Sequence, residues 1–232
     1  DSVNSPARSF EMIAVTLRKK NERKYPHANG TKTETAGMKT LRLAAMKKRL
    51  IVGITGATGS AYGVALLRAL RSLSGWESHL VLSDAGVLNA WHELKMKRKD
   101  IERLAHHAYH PKDIAATISS GSYLTEGMVI APCSMKTLAA VAHAHADDLV
   151  SRAADVVLKE RRRLVLLPRE TPLNLAHLRN MVAVTEMGGI VFPRVPAFYA
   201  RPKSIRDLVV HTVRRVLDLY GLHSPKLARW KG

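Results

Sequence analysis

The chain has 232 residues, enough for one good-sized domain, and 46% of them are apolar, an ordinary share for a globular core. A single cysteine, Cys133, excludes internal disulfides and a cysteine-rich zinc site, and the sequence holds no apolar run of roughly 18 residues that would cross a bilayer. The 37 Lys and Arg against 19 Asp and Glu leave a net charge of +18, which invites anionic partners, yet aromatics at 5% supply a poor platform for stacked nucleic-acid bases.

Residues 1–48 concentrate basic groups in Arg18-Lys19-Lys20, Arg23-Lys24 and Lys47-Lys48-Arg49, without a sustained apolar period. They are expected to form a basic extension outside the fold, disordered or expression-derived, or upstream sequence read in frame ahead of Met38 or Met46. An Arg-rich transit peptide is the alternative, which four acidic residues weaken. The domain proper is expected over 49–232.

Leu50–Ile54 reads as a buried strand, followed by the turn Gly53-Ile54-Thr55-Gly56-Ala57-Thr58-Gly59-Ser60 and a helix over Ala61–Ser72. A strand that enters a helix through such a turn presents backbone amides at a helix N-terminus, where the dipole and the unpaired N–H groups both favour an anion. The spacing G-x-x-G-x-x-G is neither the dinucleotide G-x-G-x-x-G nor the P-loop with its lysine, so it points to a mononucleotide. Glu77–Leu82 is a second strand, Asp84–Leu94 a helix and Lys99–Ala105 a short helical turn. Met128–Ala131 is a short buried strand that Pro132 ends. Helices are expected over Ser134–Ala144 and Leu149–Lys159, then a strand over Leu164–Leu167, a helix over Leu173–Met187, a last strand over Ile190–Phe192 and a closing helix over Ser204–Tyr220. Strands that alternate with helices pair in parallel and form a doubly wound, three-layer α/β sandwich. Ligands of such sheets sit at the carboxyl ends of the strands, near the point where strand order reverses.

Several residues at those ends carry chemistry. Ser134 is placed to cap a helix whose amides suit an anion. Cys133 reads as a small core residue, since no histidine accompanies it in a nucleophile's pattern. Arg152, Asp155 and Lys159 are spaced three and four apart, on nearly one helix face. Arg161, Arg162 and Arg163 read as a solvated charged face. Arg169 and Glu170 follow a buried strand directly. Arg binds phosphate bidentately, and a Glu beside phosphate holds a proton that it can give to a leaving group. A structural Arg169–Glu170 ion pair is the competing reading. Tyr199 sits in a turn, with Arg201 after it, and the histidines show no zinc-like spacing, so no metal site is expected.

The segments GITGATGSAYGVALLRAL, HLVLS, DIAATISSGSY, GMVIAPCSMKTLA, RAADVVLKERRRLVLLPRETPL, HLRNM, PAFYARP and VRRVLD together resemble the UbiX-like flavin prenyltransferases, a family that includes relatives named as components of phenolic or hydroxyarylic acid decarboxylases. The resemblance covers about 49–232. It implies a Rossmann-like, mostly parallel flavoprotein fold and a homo-oligomer, with a dodecamer as one form. It implies transfer of a dimethylallyl group from dimethylallyl monophosphate to N5 and then C6 of reduced FMN, with prenylated FMN passing to a UbiD-like decarboxylase. By resemblance FMN is held by Gly56, Ala57, Thr58, Ser83, Ser134, Met135, Lys136, Thr137 and Arg152. The prenyl phosphate meets Lys159, Arg169, Glu170, Tyr199 and Arg215, Trp230 covers the site, and Glu93 lies near the reactive edge of the flavin. Thr58, Glu93, Lys159 and Glu170 are then the catalytic set. Thr58 stands where the family usually has Ser, and Val87–Lys97 diverges. Arg152, Lys159, Arg169 and Arg215 would stabilise the departing phosphate without a magnesium ion, each at about 3 kcal/mol. A cytoplasmic setting fits the lone cysteine. The alternatives are an FMN-dependent decarboxylase of phenolic acids or peptidyl cysteine, and a basic nucleic-acid-binding protein.

Overall fold

The computed structural model describes residues 47–230. The strands are β1 (Lys48–Ile54), β2 (Trp76–Leu82), β3 (His107–Tyr109), β4 (Gly127–Cys133), β5 (Arg163–Pro168) and β6 (Ile190–Val191). The helices are α1 (Ser60–Arg71), α2 (Asp84–Leu94), α3 (Arg98–Glu102), α4 (Met135–Ala142), α5 (Leu149–Lys159), α6 (Leu175–Glu186) and α7 (Ile205–Asp218). All strand pairings among these residues are parallel, and the sheet order is β3-β2-β1-β4-β5-β6. This is the doubly wound order of a Rossmann-like sheet, whose direction reverses between β1 and β4.

The central strands are near-continuous apolar runs because both faces are covered. Leu50, Val52, Ile54, Val129 and Val165 point to one face, under Val64 and Leu67 of α1 and Val213 and Val216 of α7. Ile51, Met128, Ile130, Leu164 and Leu166 point to the other, under Leu138 of α4 and Val150, Ala153 and Val157 of α5. Gly63 brings α1 close to the sheet, since a Cβ there would meet Ala131 O at 2.3 Å and the Ile54 side chain at 2.7 Å. The hydroxyl of Tyr220, just beyond α7, donates to Met128 O at 2.9 Å and lies 3.3 Å from Arg163 O. The end of α7 is thereby fixed at the amino-terminal edge of β4 and β5.

The expected elements are present with shifted ends, and β3 is an addition. Its three residues pair only with β2 and are too short to show a period. The expected turn over Lys99–Ala105 is the helix α3, which starts one residue earlier and ends at Glu102. α6 begins at Leu175 because the Asn174 side chain caps it, accepting from His177 N at 2.9 Å. β1 starts at Lys48, so the fold begins slightly before the expected boundary at 49. The rest of the basic extension lies outside the described residues. Among the described residues no helix is long and apolar enough to cross a membrane.

Candidate functional site at the carboxyl edge of the sheet

The loops after β1 and β4 meet where strand order reverses, and Thr55 joins them. Its hydroxyl donates to Pro132 O at 2.9 Å and accepts from Ser134 N at 2.9 Å, while its own amide donates to Pro132 O at 3.2 Å. Ser134 caps α4, accepting from Thr137 N at 3.2 Å with the Thr137 hydroxyl 3.0 Å away. Ser83 caps α2, accepting from Gly86 N at 3.0 Å, and its own amide donates to Ile54 O at 3.1 Å. Gly56 lies against the first turn of α2, where an added Cβ would meet Ala85 Cβ at 2.5 Å. Two serine-capped helix N-termini therefore flank the turn after β1. Met135 and Lys136 open α4 beside Ser134.

The amides at the start of α1, which the sequence assigns to an anion, hold one already, and it is a side chain of this protein. The Glu93 carboxylate, from the end of α2, accepts from the Thr58 hydroxyl at 2.6 Å, Gly59 N at 2.8 Å and Ser60 N at 2.8 Å. A carboxylate at a helix N-terminus satisfies the unpaired amides and complements the dipole. Glu93 and Thr58 are brought together as one unit. With those amides engaged, the helix N-termini left for a phosphate nearby are those of α2 and α4.

A cavity of about 400 Å³ opens beside this turn. Thr58, Gly59 and Tyr62 form one wall, Arg169 and Glu170 a second, and Pro193, Arg194 and Val195 a third. Glu170 accepts from the Thr171 amide at 3.1 Å. Among the described residues neither Arg169 nor Glu170 makes a salt bridge, so the competing reading of a structural ion pair between them does not hold. Arg194 is a wall residue that the sequence reading does not include. A basic residue one position after Pro193, at the end of the last strand, is the available signal, obscured by the shortness of β6 and by the apolar residues around it.

The remaining expected residues do not line this cavity, though Arg152 stands at the end of α5 that faces the carboxyl edge. Arg152, in the first turn of α5, pairs with Asp155 at 2.7 Å. Lys159 ends α5 and pairs with Glu160 at 2.5 Å, beside Gly121. α5 runs antiparallel to the strands, so Lys159 lies toward the amino-terminal edge of the sheet, about 20 Å of strand from the cavity. Arg215 lies toward the same edge, about one turn before Tyr220. It pairs at 3.0 Å with Asp218, which also takes His223 and Arg229 at 2.9 Å. Burial would raise the Asp218 pKa, but these donors hold it below the usual carboxylate range. Tyr199 meets Trp230 and His211 edge-on, each at 5.9 Å between ring centres. Within one chain, then, Thr58, Glu93, Arg169 and Glu170 are gathered, while Lys159 and Arg215 stand at the opposite edge.

Two other groups hold side chains of reactive or metal-ligating type. Cys133 is buried in the core, and burial pushes its thiol well up, away from nucleophile chemistry. Ligand atoms of Glu77, His79 and His107 lie within 4.8 Å of one another. The two imidazoles are stacked, 4.7 Å apart and tilted by 19°, so their in-plane lone pairs run side by side instead of converging. Lys47 and Arg49 also occupy the Glu77 carboxylate.

Comparison with known proteins finds relatives of this chain in sequence and in fold. A family profile described as Flavoprotein matches residues 39–217. Flavin prenyltransferase UbiX of Neisseria meningitidis serogroup B is 52% identical over 187 residues, covering 81% of this chain and 98% of that protein. A probable UbiX-like flavin prenyltransferase of Bacillus subtilis is 52% identical over 186 residues, 80% of this chain and 91% of its own length. Among solved structures, a dodecameric FMN-dependent UbiX-like decarboxylase from Escherichia coli O157:H7 superposes with a TM-score of 0.77 at 52% identity, over 79% of this chain and all of that one. AnUbiX (PadA1), solved in complex with FMN and dimethylallyl pyrophosphate, gives 0.78 at 48% identity, over 80% of this chain and 98% of that one.

Proposed function

The chain belongs to the UbiX-like flavin prenyltransferase family, and we propose that it joins a dimethylallyl group to reduced FMN at the carboxyl-edge cavity, with Arg169 and Glu170 serving the leaving phosphate. The observation that carries this reading is the Arg169–Glu170 pair of side chains, unpaired with each other and turned to one hollow beside the turn after β1. Breaking an allylic C–O bond leaves negative charge on the phosphate oxygens. A guanidinium already in place stabilises that charge, and Glu170 supplies a proton to the departing oxygen.

The residues present fit a phosphorylated flavin. Two capped helix N-termini offer amides to its phosphate, and the hydroxyls of Thr58, Ser83, Ser134 and Thr137 surround the same turn. We assign FMN to Gly56, Ala57, Thr58, Ser83, Ser134, Met135, Lys136, Thr137 and Arg152. When bound, reduced FMN supplies the nucleophile. Dimethylallyl monophosphate is the donor in this reading, a UbiD-like decarboxylase receives the product, and the setting is cytoplasmic. Mass spectrometry of flavin extracted after anaerobic incubation with reduced FMN and dimethylallyl monophosphate tests it. A gain of one C5 unit is expected, and unchanged FMN would refute it.

The distance between Lys159 and the cavity of its own chain supports an oligomer. A homo-oligomer in which one copy lends Lys159, Arg215, Tyr199 and Trp230 to the cavity of another unites the expected set, and a 52% identical relative is a dodecamer. Mixing inactive K159A and E170Q chains is expected to restore part of the turnover through mixed sites. Failure of every mixture would place Lys159 outside the reaction. Direct decarboxylation of an aromatic acid is the second reading, because the same relative carries the name of a decarboxylase. Assay of the chain without a UbiD-like partner separates the two.

A further inference from the structure

Lys159 is not left to swing freely at the end of α5. Its Nζ donates to Glu160 Oε1 at 2.5 Å. The other Glu160 oxygen faces Arg162 Nη2 at 3.9 Å. Arg162 reads in the sequence as part of a solvated face, yet its side chain is only 14% exposed. It donates through Nη2 to Gly121 O at 2.6 Å and through Nη1 to Tyr123 O at 2.8 Å, so it ties the loop ahead of β4 to the end of α5. Gly121 completes the arrangement. An added Cβ there would stand 2.1 Å from Glu160 Oε1 and 2.7 Å from Lys159 Nζ, so the loop backbone lies directly against the ion pair.

Stability alone does not account for this brace. Glu160 is the C-cap of α5, where a carboxylate opposes the negative end of the helix dipole. The hydrogen bond and the charge of Lys159 hold its carboxyl below the usual range, with Arg162 adding to them and burial opposing. Exposed ion pairs of this kind contribute little to folding. What the brace does fix is position. A lysine side chain has many rotamers to lose, and an ammonium has three N–H donors, of which Glu160 takes one. Two remain for an anion, so the same nitrogen can meet a phosphate without leaving its carboxylate. Resting on the function proposed above, we infer that Glu160 is a positioning residue: braced by Arg162 and the Gly121 backbone, it holds the Lys159 ammonium where the donor phosphate meets it.

The test uses the FMN-loaded chain as wild type, E160Q, E160D and G121A. E160Q removes the negative charge. G121A leaves every charge in place and pushes the flexible end of Glu160 aside. With dimethylallyl monophosphate, both should raise KM by about five- to tenfold, the penalty of ordering one long side chain at binding, and change kcat by less than about twofold. E160D should recover part of the loss. Lys159 labelling by acetic anhydride at fixed pH, read by peptide mass spectrometry, should run about two- to fivefold faster in E160Q and G121A. A merely structural Glu160 would lower Tm and leave the labelling of Lys159 alone. Wild-type KM in both E160Q and G121A overturns the assignment, and so does unchanged labelling. Wild-type turnover by K159A would instead remove Lys159 from the proposed reaction, and no prenylated flavin from wild type would refute that reaction. In either case the labelling still decides whether Glu160 holds Lys159.

Discussion

Glu170 and Glu93 are both carboxylates near the cavity, and their surroundings separate their roles. Glu93 accepts three short hydrogen bonds that it cannot release without unpairing the start of α1. Glu170 has one backbone contact and an open side toward the cavity. E170Q is therefore expected to keep FMN, seen in the bound flavin spectrum, and to lose turnover by about 100-fold or more. E93A should cost about 1 kcal/mol of stability, read as a Tm lowered by a few degrees. His79 gives a third residue-scale expectation. Burial first, then the neighbouring His107, lowers its pKa from 6.5 to about 4. The folded state resists its protonation, so its contribution is fully present above pH 6.5 and declines as pH falls toward 4. His106 is shifted in the same direction. Denaturant midpoints should fall across that window, and replacing His79 with Gln should flatten the fall.

At the scale of elements, close approach of α1 to the sheet is what shapes the turn beneath the cavity. G63A forces a methyl into Ala131 O and Ile54, so it should destabilise by about 2 kcal/mol and lower Tm by roughly 4–8 °C. The strands and helices are legible in the sequence because strands buried on both faces leave long apolar runs and a helix can announce itself by a cap such as Ser134. β3 is not legible, since three residues at a sheet edge carry no period. In the site, Arg169 and Glu170 are legible from their place after β5. The hold of Glu93, from α2, on the first turn of α1 is not, because a contact 33 to 35 residues apart in the chain leaves no local pattern. Arg194 escapes for the same reason, its meaning set by Tyr62 and Gly59 far upstream.

At the scale of the whole molecule, the positive charge is not confined to the extension. Residues 47–232 alone hold 28 Lys and Arg against 15 Asp and Glu. Such a surface draws in anionic donors from a distance, and salt screens that attraction. Raising ionic strength should lower kcat/KM for the prenyl phosphate several-fold and leave kcat nearly unchanged. An exposed apolar stripe on α6, Leu175, Leu178 and Val182, suits contact with another copy. L178D should shrink the assembly in sizing columns and lower turnover with it. Under the shared arrangement proposed for Lys159, a solitary copy is an incomplete tool. Dilution would then extinguish output more steeply than in proportion to dose, and the abundance of the protein in the cell would act as a threshold on its own productivity.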